Sequence, residues 1–213
     1  IRRPPRSTQS RSSAASDVYK RQIKDRVVSQ PIKGTSRRDQ NDMVDSKLMN
    51  ELEANIKERS ENIMIVDLIR NDLSRFSIPG SVIVKELCKV YPFKQVHQMI
   101  STVESKIKSN LSSSEIIKHT FPMGSMTGAP KVKAMNIIED LEVSARGLYS
   151  GAMGYIKPSG DFDFNVVIRS LIYDTNTKYL SFHVGSAITS KSKISNEYDE
   201  CLLKAEAMIS VLK

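Results

Sequence analysis

The stretch FPMGSMTGAPKVK, Phe121 to Lys133, constrains the chain more than any other. Gly124 and Gly128 permit tight backbone geometry, and Pro130 suits the first position of a helix. Ser125 and Thr127 place hydroxyls at that helix mouth, and Lys131 and Lys133 add positive charge. Free backbone N–H groups at such a mouth can receive an anion. An ordinary capped helix start fits the same residues. The spacing G-x-x-x-x-G-K-[ST] is absent, so this is not a phosphate loop of that kind.

Charge narrows the partners. The formal net charge of the 213 residues is +8. Residues 1–22 hold Arg2, Arg3, Arg6, Arg11, Lys20 and Arg21 against Asp17 alone, a net +5, which leaves +3 for the rest. The remainder is only mildly basic, and aromatic residues make up 6%, which gives little footing for a nucleic-acid partner. A small anionic ligand fits as well. No long apolar run is present, so no membrane span is expected. Cys88 and Cys201 make no disulfide or metal pattern, consistent with a reducing, cytoplasmic setting.

Composition also divides the chain. Residues 1–22 are rich in Arg and Ser, almost devoid of apolar residues, and lack the apolar core of a secretory signal. They resemble a translated cloning adaptor and are expected to be disordered and not native. Residues 23–213 are expected to form the folded body.

Within that body, Pro31 and Gly34 fix a turn in PIKGT with Lys33 at its apex. Residues 42–76 are predicted helical, with Met43, Leu48, Leu52 and Ile56 on one apolar face. Glu58 and Glu61 stand at i and i+3 and can share one side of a helix. Asp67, Arg70, Asn71 and Asp72 form a polar cluster that caps and local ion pairs would explain. Strands are predicted over 81–87 and 96–107, the second carrying His97, and a short helix over 112–120. A helix follows over 131–145, with Val132, Met135, Ile138 and Leu141 apolar. The last third reads as strands over 149–156, 162–173 and 179–188, then a closing helix over 195–213.

Arg169 falls inside the apolar run VVIRSLIY, where a buried arginine demands an anion or carboxylate. Gly185 interrupts the next strand, where backbone can approach a ligand closely. Glu197 and Glu200 repeat the i, i+3 spacing, with Lys204 one turn further. Two acidic pairs on distant helices can meet around one hard cation, and magnesium prefers oxygen ligands and keeps bridging waters. A helix-mouth anion site, a strand arginine and Lys204 complete a pocket for a small carboxylated molecule held through magnesium.

These strings match a known family. PIKGT, ERSENIMIVDLIRNDLSRF, FPMGSMTGAPKVKAMNIIEDLE, LYSGAMGYI, NVVIRSL, VGSAIT and EYDECLLKA occur in the family's order and span residues 31–213. The chain resembles the chorismate-utilising enzymes, which include anthranilate, aminodeoxychorismate, isochorismate and salicylate synthases. The resemblance implies an α+β fold of layered antiparallel sheets with flanking helices. It places Glu61 and Glu200 nearest a Mg2+ ion, with Glu58 and Glu197 assisting through water. It gives Thr127, Tyr149, Arg169, Gly185, Ser186 and Lys204 to substrate binding, Arg169 taking a carboxylate of chorismate. His97 would stand near the pyruvyl-bearing ring position.

Lys33 selects a branch of the family. Anthranilate synthases usually read PIAGT, whereas lysine resembles the branch that forms 4-amino-4-deoxychorismate on the way to folate, with ammonia from a glutamine amidotransferase. There the lysine is taken to attack the ring. Anthranilate synthase component I and isochorismate- or salicylate-type synthases remain alternatives within the family, and an inactive ligand-binding fragment is the alternative outside catalysis. Two departures stand out. The family's GGGI or GAGI string reads GSAI at Gly185 to Ile188. The strand with an SPE-type string, whose Glu is the family's expected general acid, is not found before PIKGT. The chain therefore reads as a C-terminal part of the domain.

Overall fold

The computed structural model describes residues 18–94, 96–108, 110–190 and 192–212. They form two compact units, residues 17–166 and residues 167–213, the first being much the larger. Residues 1–17 of the adaptor-like leader lie outside the described residues.

The larger unit is built on one antiparallel sheet. Its strands are β1 (Val18–Ile23), β2 (Arg26–Gln30), β3 (Ile32–Arg37), β4 (Ile83–Pro92), β5 (Val96–Lys106), β6 (Ala152–Ile156) and β7 (Phe162–Val166). The order is β3-β5-β2-β1-β7-β6, and β4 pairs with β5. β5 is the centre: β4 runs along it from Glu104 to His97, β2 pairs with its second half and β3 with its first.

The leader was expected to stay disordered through residue 22, yet Val18 to Gln22 belong to β1. Strand pairing uses backbone N–H and C=O groups, which any non-proline residue supplies. β1 pairs with both β2 and β7. Composition bears on the origin of these residues and does not prevent that pairing.

Two helices cover one face of β5. Asn41 caps α1 (Asp42–Ala54) by accepting from the N–H groups of Met43 and Val44 at 3.0 and 3.3 Å. Asn55 ends α1 and caps α2 (Ile56–Ser74), its side chain accepting from Glu58 N–H at 3.1 Å. Such caps satisfy N–H groups that the helix leaves unpaired. α2 buries Asn62, Ile65, Val66, Ile69, Asp72 and Leu73. Its apolar members join Val27, Phe76, Val103, Ile107, Ile116 and Phe162 in the main core. A smaller cluster of Leu52, Cys88, Val90 and Met99 lies under α1. The apolar face expected over Met43, Leu48, Leu52 and Ile56 is mostly in solvent: only Leu52 is buried, and Met43 of α1 and Ile56, the first residue of α2, are 84% and 81% exposed.

Short elements shape the rest of this unit. α3 (Ser113–Thr120) starts on a capping box between Ser112 and Glu115. A single 3-10 turn, Gly124–Met126, leads towards α4 (Lys131–Leu141). Pro130 is the cap residue of α4, one place before the position predicted. No residue of α4 is buried.

The smaller unit holds a two-stranded hairpin, β8 (Ile172–Asp174) with β9 (Tyr179–Ser181), and α5 (Ile194–Ile209). The single strand predicted over 162–173 is thus two strands. Arg169 lies in the break, and its φ is +50°, a value L residues rarely adopt and one outside the extended range. Arg169 is exposed, not buried in an apolar strand as expected. The strand predicted to Ile188 ends at Ser181. No helix among the described residues is long and apolar enough to cross a membrane.

Candidate functional site

The turn expected in PIKGT, with Lys33 at its apex, is instead part of strand β3, whose pairing with β5 shifts register between Ile32 and Thr35, and this stretch lies against α2. Gly34 has φ +95°, which favours glycine. Space is tight as well: a Cβ there would lie 3.2 Å from Cβ of Met99 and 3.3 Å from both Cβ and Oε2 of Glu58. Glu58 of α2 therefore sits directly over the residue that follows Lys33, and Lys33 is half-buried on β3. Glu61, one turn along α2, is 17% exposed and stands 3.8 Å from Lys57.

The Gly-rich stretch is held from several sides. A Cβ on Gly128 would come within 2.9 Å of the Ala134 Cβ, so the smallest residue is needed there. Thr127 donates its hydroxyl to the Met123 carbonyl at 3.0 Å. Lys131 does not present free charge at the helix mouth. Its Nζ is 2.7 Å from Asp72 Oδ2 and 3.4 Å from the Thr120 carbonyl. Asp72, from the polar cluster on α2, is 4% exposed, and burial pushes its carboxyl above the ordinary value despite Lys131. Lys20 of β1 is also buried in this field. Desolvation lowers it to about 7, opposed by Asp72 and aided by Lys131. The other members of the cluster behave as the bland reading requires: Arg70 pairs with Asp67 on the surface at 2.8 Å.

His97 is 1% exposed, and its Nε2 lies 2.9 Å from Asp45 Oδ1. Asp45 is also gripped by Arg38, with Nε 2.9 and 3.0 Å from its two oxygens and Nη2 at 2.8 Å. The Arg38 hydrogen bonds first, then the Asp39 backbone N–H, hold the Asp45 carboxyl well below the usual carboxylate range. An ionised carboxylate only accepts, so the proton of this contact is on Nε2. Nδ1 of His97 is buried without a hydrogen-bond partner. The amide oxygen of Gln98, next in β5, is in the same condition. Asp45 and Arg38 were not singled out in the sequence, because their contacts with β5 and its preceding loop span 52 and 55 residues.

Tyr149 lies in a turn before β6, its N–H bonded to the Arg146 carbonyl at 3.0 Å. Arg146 also reaches the Met126 carbonyl at 2.7 Å.

In the smaller unit five of the predicted residues converge. Lys204 donates to the Gly185 carbonyl at 2.9 Å and pairs with Glu200 at 2.6 Å. The Ser186 hydroxyl donates to Glu197, which is 7% exposed. Gly185, Ser186, Glu197, Glu200 and Lys204 thus form one cluster joining a loop to α5. Among the described residues, no group of three or more His, Cys, Asp or Glu could hold a metal ion. Each acidic pair supplies two hard oxygen donors of the kind magnesium takes.

An antiparallel sheet thus lies under two helices, with Glu58 of α2 against the strand that carries Lys33. A family model described as chorismate binding enzyme matches residues 12–210, and the chain belongs to that family. Its curated relatives include an aminodeoxychorismate synthase of rice described as probable and chloroplastic, 44% identical over 86% of this chain and 20% of the relative. Aminodeoxychorismate synthase component 1 of Escherichia coli is 38% identical over 88% of this chain and 41% of the relative. Anthranilate synthase component 1 of Haloferax volcanii is also 38% identical, over 89% of this chain and 36% of the relative. The chain therefore spans less than half the length of these relatives. Among solved structures, anthranilate synthase component I of Streptococcus pneumoniae superposes with a TM-score of 0.76 at 31% identity, over 90% of this chain and 42% of that one. The menaquinone-specific isochorismate synthase of E. coli gives 0.80 at 21% identity, over 92% and 44%, a likeness of fold.

Proposed function

We propose that this chain is a C-terminal part of component I of an aminodeoxychorismate synthase. The whole enzyme would convert chorismate and ammonia to 4-amino-4-deoxychorismate and water. A glutamine amidotransferase partner would supply the ammonia, and the cytoplasm is the proposed setting, although plant relatives are described as chloroplastic. The observation that carries the reading is Glu58 packed over Gly34, which sets Lys33 one residue from a carboxylate of the first acidic pair.

In this reading Lys33, as the neutral amine, attacks ring carbon C2 of chorismate. Both ring double bonds shift, to C1=C6 and C4=C5, and the C4 hydroxyl leaves as water with the proton given up by the attacking amine. Ammonia then adds at C4 and Lys33 departs, restoring its amine. Magnesium, when bound, would neutralise a substrate carboxylate. Glu61 and Glu200 would hold it directly, and Glu58 and Glu197 through water. Thr127, Tyr149, Arg169, Gly185, Ser186 and Lys204 would bind and orient chorismate. His97 was expected beside the ring. Its contact with Asp45 places a donor proton on Nε2.

The anthranilate-forming reading has support from the H. volcanii relative, and Lys33 stands against it. The two separate by product. Joined to the preceding portion of the E. coli component 1, the chain is expected to make 4-amino-4-deoxychorismate from chorismate and ammonium, and Lys33→Ala to reduce that rate at least a hundredfold. Anthranilate as the product, or an unchanged rate in the Lys33→Ala protein, would overturn the reading. Chorismate binding with no turnover in the joined protein would favour the non-catalytic alternative.

A further inference from the structure

We infer that Arg146 is a positioning residue that locks the loops carrying Thr127 and Tyr149 into one arrangement, and so sets the affinity for chorismate. The inference rests on the reading that these two residues face chorismate. Neither residue belongs to a helix or strand, and the backbone bonds of Thr127 N–H to Gly124 and Tyr149 N–H to Arg146 are local turn contacts that do not join the two loops.

One guanidinium supplies the link. Nη1 donates to the Met126 carbonyl, the residue before Thr127, at 2.7 Å. It also reaches the Ser150 hydroxyl, the residue after Tyr149, at 3.2 Å. The Arg146 carbonyl accepts from Tyr149 N–H at 3.0 Å. Each presumed substrate residue is thus one peptide from an Arg146 contact or in direct backbone contact with it.

The guanidinium is itself aimed. Glu142, one helical turn earlier in sequence, receives Nε at 2.8 and 3.1 Å and Nη2 at 2.6 Å. This two-point contact fixes the plane of the fork and leaves Nη1 for the loops, a division that a lysine ammonium cannot make. The Ser150 turn also needs holding. Ser150 has φ +68° and is 8% exposed, so a non-glycine residue keeps a left-handed conformation in a buried place. Such a conformation persists where surrounding contacts enforce it.

The test compares the wild-type chain with Arg146→Lys and Ser150→Ala, by amide hydrogen exchange and by calorimetric titration with chorismate in magnesium. Arg146→Lys is expected to speed exchange at least tenfold in both 123–128 and 147–151, leave α2 and β5 unchanged, and weaken chorismate binding about tenfold. Ser150→Ala is expected to loosen 147–151 alone. If Arg146→Lys loosens only one segment or neither, the linkage is wrong. If both loosen and affinity is unchanged, the role in chorismate binding is wrong. If the wild type binds no chorismate, the proposed function loses its support and the role in binding falls with it, while exchange alone still decides the linkage.

Discussion

α2 and α4 are both helices with an apolar period, and they meet opposite fates. α2 buries six side chains, among them Leu73 at 0% and Ile65 and Val66 at 3% exposure. α4 buries none, and its Val132 and Leu141 are 70% and 74% exposed. Periodicity shows which face a helix can offer, and burial requires a partner surface. α2 has β5 beneath it. α4 is tied at its first residue, where Lys131 meets Asp72. α1 is intermediate: one buried leucine, and Asp45 joined to His97 and Arg38.

This ranking can be broken by mutation. Leu73→Ala in α2 is expected to cost about 3 kcal/mol, read from urea unfolding, because it opens a cavity in a packed core. A loss below about 1 kcal/mol would place α2 no deeper than α4. Asp45→Asn in α1 is expected to act through pH. The folded carboxyl lies below its ordinary value, so its contribution is complete above about pH 4 and fades as pH falls through the folded value. The melting-temperature gap between wild type and Asp45→Asn should therefore narrow on acidification, and a constant gap would remove Asp45 as an anchor. Leu141→Ala in α4 is expected to change stability by no more than about 0.5 kcal/mol. A larger loss would show that α4 has a covering surface.

The same contrast explains what the sequence could reveal. Local signals read well. The short helix expected over 112–120 is α3, and the β-rich run from Val96 gave β5, whereas the turn expected in PIKGT is strand β3. Signals that depend on a distant partner did not. The apolar positions of α1 read like a buried face, yet only Leu52 found a surface. Arg169 sits in a run of strand-forming residues, and its positive φ is invisible in their propensities. Of the candidate site, acidic spacing, Lys33 and the Gly185 string were legible as residue types. The engagement of Lys131 by Asp72, of His97 by Asp45, and of Met126 and Ser150 by Arg146 was not. The first two bridge 59 and 52 residues, and Arg146 reaches Met126 across 20.

The proposal with most at stake is that Glu61 and Glu200 are each needed for magnesium-dependent chorismate binding. Calorimetric titration of the chain with chorismate tests it directly, with and without magnesium, in wild type, Glu61→Gln and Glu200→Gln. Binding that needs magnesium and is lost alike in both variants is the predicted result. Binding that survives either substitution, or that ignores magnesium, would contradict it.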